Sequence, residues 1–424
     1  MLGRIILATI VIGVISGFLI TIYELLIIFT TYFFFLGDPY KTIATLPVWY
    51  LYLLPTISIF IVNYIVSKDS AIREYALNEI ADSIVQNRMI LKIKTLFLKI
   101  IASVLSLSTG FMVGTEGPSA GIGAMIAYHI HKLFKLPNML IKMIISVGAS
   151  SAIAAIFVSP LTGITFAVEH IAYQFLKQYI GYLIVGSVIA FAISINFLNP
   201  LYFKYSLGRS LNENFFFAIF AFIPYITLFV YIYLFLKKRV LHFIDLEIFK
   251  NASKYRNYIF SIIGGGAVGT ILLIEPHAAF SGKDVVTYLM NHNNKIPLSL
   301  IFTVLFLRII GTTISIYSNA VGGLFLPIMS IGAIVGYTFG EILSIYHIST
   351  ESFYFAAIGA AVFMGVIMKL PLTAVVLSLE TTFDYNVVVA TGISVVIVEY
   401  ISSLNFNINR RNVTKADKIE KTKQ

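Results

Sequence analysis

From Ile5 to about Leu36 the chain carries one charged side chain, Glu24, and eleven more apolar stretches follow. They lie near 46–66, 96–113, 118–135, 139–158, 161–198, 214–236, 258–274, 297–318, 322–346, 353–369 and 371–406. A helix needs about 20 apolar residues to cross a bilayer. Several of these stretches are shorter, or are interrupted by glycine and proline. Interrupted backbone survives at membrane depth only where protein buries it or where it lines a cavity. Of the 424 residues, 58% are hydrophobic and 12% charged, against roughly a quarter charged in a soluble chain. Most of the outer surface must therefore face lipid. Long apolar runs, rather than alternating ten-residue segments, exclude a β-barrel. The first stretch also exceeds the ~7–15-residue core of a signal peptide, so it reads as a retained, tilted helix.

The formal net charge is +10. Its basic residues gather in a few breaks, as the positive-inside bias requires, which leaves no case for nucleic acid as a partner. The breaks are 67–95, a loop near 237–256 opened by Lys237-Lys238-Arg239, and a basic tail over 411–424. With Arg4, they place both termini and these loops on the cytoplasmic side of the cell membrane. Residues 1–410 then form one transmembrane domain. The absence of cysteine excludes disulfides, iron–sulfur clusters and catalytic thiols. The seven histidines form no metal-binding pattern, His129 and His131 pointing to different helix faces. No cofactor is expected.

The chain repeats itself. Gly114, Pro118, Ile122-Gly123-Ala124 and Tyr128 recur 209 residues on as Gly323, Pro327, Ile331-Gly332-Ala333 and Tyr337. Gly148-Ala149, Pro160-Leu161-Thr162 and Glu169 recur 211 residues on as Gly359-Ala360, Pro371-Leu372-Thr373 and Glu380. Two repeats, over about 60–200 and 258–406, suit a carrier of inverted halves with its substrate site where interrupted helices meet at mid-depth.

A glycine-rich break before a helix leaves N–H groups free and directs a partial positive charge of roughly half a unit into the gap. Pro118 and Pro327 suit the first helical turn. Two such ends make an anion site that needs no lysine, and so one that releases its ion readily. Leu324 and Phe325 would present amides from the second repeat, and Ser70 a hydroxyl. Packing glycines and an ordinary N-cap serine explain the same residues more plainly. Glu116 sharpens the choice. A charge at the bilayer centre costs about 2.5–3.5 kcal/mol, and this one stands between Gly114 and Gly117-Pro118. Ionised, it would occupy an anion's seat; protonated, it would leave. Glu169 and His170 are further titratable groups. The repeat mate Glu380 favours a structural part for Glu169, while His170 has Thr381 opposite it and titrates near neutrality. Arg308 and Lys369 read as capping or snorkelling groups.

With those residues in hand, the chain resembles the CLC family of chloride channels and chloride/proton antiporters. Gly114-Thr115-Glu116-Gly117-Pro118 is similar to its Gly-[Lys/Arg]-Glu-Gly-Pro signature, and Gly323-Leu324-Phe325-Leu326-Pro327 to Gly-x-Phe-x-Pro. Asp69-Ser70-Ala71-Ile72-Arg73-Glu74 stands where the family has Gly-Ser-Gly-[Ile/Val]-Pro-Glu. The resemblance implies an all-helical fold of two inverted repeats and a homodimer with one pore per subunit. It makes Glu116 the external gating glutamate, and Ser70 with the Leu324 and Phe325 amides the lining of a chloride path. Three departures stand out. Thr115 replaces a basic residue, His170 falls where antiporters carry an internal proton-transfer glutamate, and the pore tyrosine has no counterpart, Asn409 lying nearest. Ser70 favours chloride over fluoride, and the paired regulatory domains of many relatives are absent.

The resulting expectation is a chloride/proton antiporter gated by Glu116. A passive chloride channel of the same fold is the first alternative. An intramembrane enzyme would need a nucleophile–base pair that the sequence does not offer. A non-transporting scaffold would leave the matched breaks unexplained.

Overall fold

The fold was analysed in a computed structural model, which describes residues 1–73, 92–169, 176–201, 213–244, 256–291, 296–346 and 352–421. Its first half comprises α1 (Leu2–Phe34), the single turn α2 (Pro39–Thr42), α3 (Val48–Lys68), a 3-10 turn (Ser70–Ile72), α4 (Ile93–Ser108), α5 (Glu116–Leu133), α6 (Ile141–Phe157), α7 (Pro160–Ala167) and α8 (Leu176–Ser194). The second comprises α9 (Glu213–Ile244), α10 (Arg256–Ile274), α11 (Lys283–Asn291), α12 (Leu298–Tyr317), α13 (Phe325–Ile345), α14 (Ser352–Met368), α15 (Pro371–Thr382) and α16 (Tyr385–Lys421). Eight helical segments among the described residues are long and apolar enough to cross a bilayer. Side chains such as Leu7, Phe18 and Phe29 on α1 are exposed, whereas Ala8, Ile12 and Ile20 on its other face are fully buried. In a multi-pass membrane protein the exposed set faces lipid.

The helices correspond in pairs. α1 packs on α4, α5, α6 and α8, and α9 packs in the same way on α12, α13, α14 and α16. Correspondence therefore reaches α1 and α9, beyond the stretches that share motifs. Left-handed residues stand at matched places: Gly110 and Asn319 after α4 and α12, Val158 and Lys369 between α6–α7 and α14–α15. Lys369 thus serves as a turn residue. Proline opens both α7 and α15, at a position whose amide would lack a helical partner.

Inside each half, two central helices touch backbone to backbone. A Cβ on Gly123 of α5 would meet the carbonyl oxygen of Gly148 on α6 at 2.1 Å, and one on Gly148 would meet that of Gly123 at 2.1 Å. Gly332 and Gly359 repeat the contact between α13 and α14. Without a hydrophobic drive between helices in lipid, such close van der Waals packing is what binds them.

The halves are also stitched together reciprocally. Ser106 Oγ accepts from the Val321 amide at 2.9 Å, and Ser315 Oγ accepts from the Met112 amide at 3.0 Å. Each serine serves the loop of the other repeat, the arrangement a two-fold relation between inverted halves requires. Gly148→Val should lower the thermal midpoint of the detergent-solubilised protein, by an amount equivalent to about 1–3 kcal/mol or more. Gly266→Ala, where an added Cβ meets nothing within 4 Å, should leave the midpoint unchanged or raise it; matched losses at both positions would count against the packing argument.

Candidate functional site

The two signature loops bind each other. The Gly114 amide donates to the Gly323 carbonyl at 2.8 Å, and the Gly323 amide to the Gly114 carbonyl at 2.7 Å, an isolated antiparallel bridge. Immediately beyond it, α5 and α13 begin, so their N-termini converge on one point. Both prolines fall in the first turn, where amides lack helical partners. The dipoles of both helices add at the junction.

Glu116 occupies that point. It is 3% exposed, and its Oε1 accepts from the Phe325 amide at 2.5 Å. The Leu326 amide faces the carboxylate as well. A Cβ on Gly114 would lie 2.1 Å from Oε2, and one on Gly323 would lie 2.3 Å from Oε1. Both positions must be glycine for a carboxylate to sit there. Oε2 is buried with no hydrogen-bond partner among the described residues, an arrangement that costs free energy unless a proton or another ligand joins it. The Phe325 ring packs on Phe157 at 4.8 Å and on Phe166 at 6.5 Å, closing the site with aromatic surface. The Leu324 and Phe325 amides were expected to face the site. The Phe325 amide does so, and the Leu326 amide one residue further joins it at the carboxylate.

Ser70 opens the 3-10 turn after α3. Asp69 fixes that turn, its Oδ1 accepting from the Ala71 amide at 3.1 Å and its Oδ2 from Thr95 Oγ1 at 2.5 Å. From α4, Lys99 Nζ donates to the Ala71 carbonyl at 3.1 Å, and its ammonium also lies against Gly121 of α5. One buried lysine thereby ties the Ser70 turn to the Glu116 helix. It had gone unremarked in the sequence, although a lone cation in the apolar stretch 96–113 was the available signal.

Glu169 and Glu380 exchange places between the halves. Glu169 Oε1 accepts from the Leu372 amide at 2.6 Å, and its Oε2 from the Thr373 amide at 2.8 Å and hydroxyl at 2.5 Å. Glu380 Oε1 accepts from the Leu161 amide at 2.9 Å, and its Oε2 from the Thr162 amide and hydroxyl at 2.7 Å each and from Ser159 Oγ. Each acid caps the proline-led helix of the opposite repeat, so Glu169 belongs to a matched structural pair. His170 lies outside the described residues. Asn409 falls in α16, past the last residue whose side chain is described.

Three other charged groups matter more than the sequence suggested. Arg308 is fully buried on α12 and donates to the carbonyls of Ala278, Ala279 and Ser281 at 3.1 Å each, and to Ser330 Oγ on α13 at 2.8 Å. It is a capping group for the loop before α11. At the end of that loop, Lys283 Nζ donates to Glu24 Oε1 on α1 at 3.2 Å.

Broken, duplicated membrane helices whose N-termini meet on a buried acid define a polytopic membrane protein of inverted repeats, with its polar centre at the repeat junction. The chain belongs to the voltage-gated chloride channel family: residues 56–403 match the profile described as "Voltage gated chloride channel". Over 313 residues it is 26% identical to the H(+)/Cl(-) exchange transporters ClcA of Salmonella arizonae and Citrobacter koseri, covering 70% of this chain and 63% of each relative. The alignment thus spans somewhat under two thirds of those proteins' length. The fold is shared with a slow cyanobacterial Cl-/H+ antiporter (TM-score 0.83, 20% identity, 95% of this chain and 94% of the other). It is shared also with a CLC-type fluoride/proton antiporter (TM-score 0.73, 17% identity, 95% of each chain).

Replacing either cap leaves buried donors unpaired at about 1–3 kcal/mol for each group lost. Glu169→Ala and Glu380→Ala should therefore destabilise the detergent-solubilised protein by similar amounts. Thermal unfolding checks this, and a loss confined to one of the two would break the symmetry of the pair.

Proposed function

We propose that the protein exchanges chloride for protons across the cell membrane, with Glu116 as the titratable gate. The observation that carries this reading is the seat of the Glu116 carboxylate. It accepts the amide of Phe325 at a helix N-terminus, the kind of donor an anion would use. A carboxylate and a chloride carry the same charge and compete for the same N–H groups. When Glu116 takes a proton it loses its charge, and chloride replaces it; when chloride departs, the ionised carboxylate returns. One proton is thereby tied to one vacancy at the site, the coupling an exchanger needs. The exchange activities for which the ClcA relatives and the cyanobacterial antiporter are named support the same reading.

Ser70 and the Leu324, Phe325 and Leu326 amides are assigned to the chloride path, with Gly114, Gly117, Pro118, Gly323 and Pro327 as the frame that brings the two helix ends together. Leu324 keeps a place in that frame as the N-cap of α13. Glu169 is assigned to capping, since both its oxygens already hold donors, and His170 to the inner proton step. The positive-inside bias of Arg4 and the basic breaks puts both termini in the cytoplasm. On that topology α1 and α10 run outward, and the loop carrying Lys283 lies on the outer side. The resemblance to CLC proteins further supports a homodimer with one pore in each subunit, and residues 1–410 as one membrane domain followed by a basic tail.

Proteoliposomes loaded with chloride, with external pH recorded alongside chloride movement, test the assignment. Wild type should move protons against chloride, while Glu116→Gln should keep chloride movement and abolish the proton flux. Wild type moving chloride with no protons would replace this reading with a passive channel. His170→Ala is expected to cut proton movement at least about tenfold, in the range by which removing a positioned proton carrier slows transfer, while chloride still passes. Unchanged coupling would remove His170 from the mechanism.

A further inference from the structure

Beside the starts of α5 and α13 lies a small cleft lined by Glu24, Thr115, Phe157, Lys283 and Leu326 among others. Thr115 precedes Glu116 in the chain and Leu326 follows Phe325, so the cleft lies beside the anion seat. Lys283 is the one cation among the lining residues. Its side chain is 28% exposed, whereas that of Glu24 is 8% exposed. The neighbouring Asp284 accepts the Tyr40 hydroxyl at 2.9 Å, so its carboxylate is held on Tyr40. Arg308 grips the loop just before Lys283 by three carbonyls. The ammonium is therefore set at the cleft by a rigid support.

Glu24 is a poor partner if its purpose is stability. Only Oε1 meets Lys283, and Oε2 is buried with no hydrogen-bond partner among the described residues. A buried ion pair gains little over apolar packing even when fully satisfied, and a half-satisfied one gains less. Glu24 also lies within electrostatic reach of Glu116, so its charge opposes any anion at the seat.

We propose that Lys283 is an outer anion-binding residue, which draws a monovalent anion into the cleft next to the helix N-termini, and that Glu24 restrains it by neutralising part of its charge. This rests on the chloride-exchange reading and adds where the anion is first captured and what sets its affinity. A cation in a narrow, low-dielectric cleft raises the local concentration of anions. A carboxylate bonded to it lowers that potential, so the two residues act in opposite directions on the same step.

The test is initial chloride uptake against chloride concentration in proteoliposomes, at low ionic strength and again with added impermeant gluconate salt. Lys283→Gln should raise the apparent KM roughly threefold or more with the maximal rate little changed. Glu24→Gln, which keeps the shape and removes the charge, should lower it. Lys283→Arg should stay near wild type, and the double variant Glu24→Gln/Lys283→Gln should show a lower KM than Lys283→Gln, because removing Glu24 also relieves its repulsion of an anion at the seat. These differences should shrink in added salt, as screening requires. Chloride titration calorimetry on the solubilised variants should give the same order of affinity and needs no vesicle insertion. If Glu24→Gln and Lys283→Gln both raise KM, or neither moves it, the pair is a structural tie and the proposal fails. A wild type that takes up no chloride overturns the exchange reading itself.

Discussion

A backbone amide in the middle of a bilayer has no water as an alternative partner, so every helix broken there must find a partner for its loose end. In this chain the partners come from the other repeat, and they come in swapped pairs. Gly114 and Gly323 exchange amide and carbonyl. Ser106 and Ser315 each accept an amide from the opposite loop. Glu169 and Glu380 each cap the opposite proline-led helix. These exchanged bonds make the junction between the halves the place where the fold is decided.

The same rule explains why the polar centre sits where it does. Swapped capping satisfies the starts of α7 and α15, whereas the glycine bridge presses the starts of α5 and α13 together. What remains is a small positive field with no counter-charge of its own, and Glu116 fills it from within the chain. The seat is paired at one oxygen and unpaired at the other. A tightly satisfied carboxylate would be a permanent cap, as Glu169 and Glu380 are. The difference between those acids and Glu116 lies in how many donors each one meets, not in residue type.

Much of this was legible in the sequence, because duplication doubles the signal. Gly114, Pro118 and Gly323, Pro327 at one fixed spacing pointed to two converging helix starts, and the match of Glu169 with Glu380 pointed to a shared structural task. Which residues pair across the junction was not legible, since contacts between residues some 209 positions apart depend on how the halves fold back on each other. That the Leu326 amide also reaches the site was not legible for a local reason: spacing to a proline does not say where the first helical residue falls. The correspondence of α1 with α9 left no motif, because lipid-facing helices need only be apolar and of sufficient length. Glu24 and Lys283 share no local pattern, being brought together by α1 and the loop that Arg308 anchors.

The central claim is that the Glu116 carboxylate and the transported anion use one set of amides in turn. Bromide anomalous scattering from crystals of Glu116→Gln tests this most directly. The account requires a bromide within hydrogen-bond reach of the Phe325 and Leu326 amides, where the carboxylate lies in the native chain. An empty seat with bromide bound elsewhere in the membrane domain would contradict it.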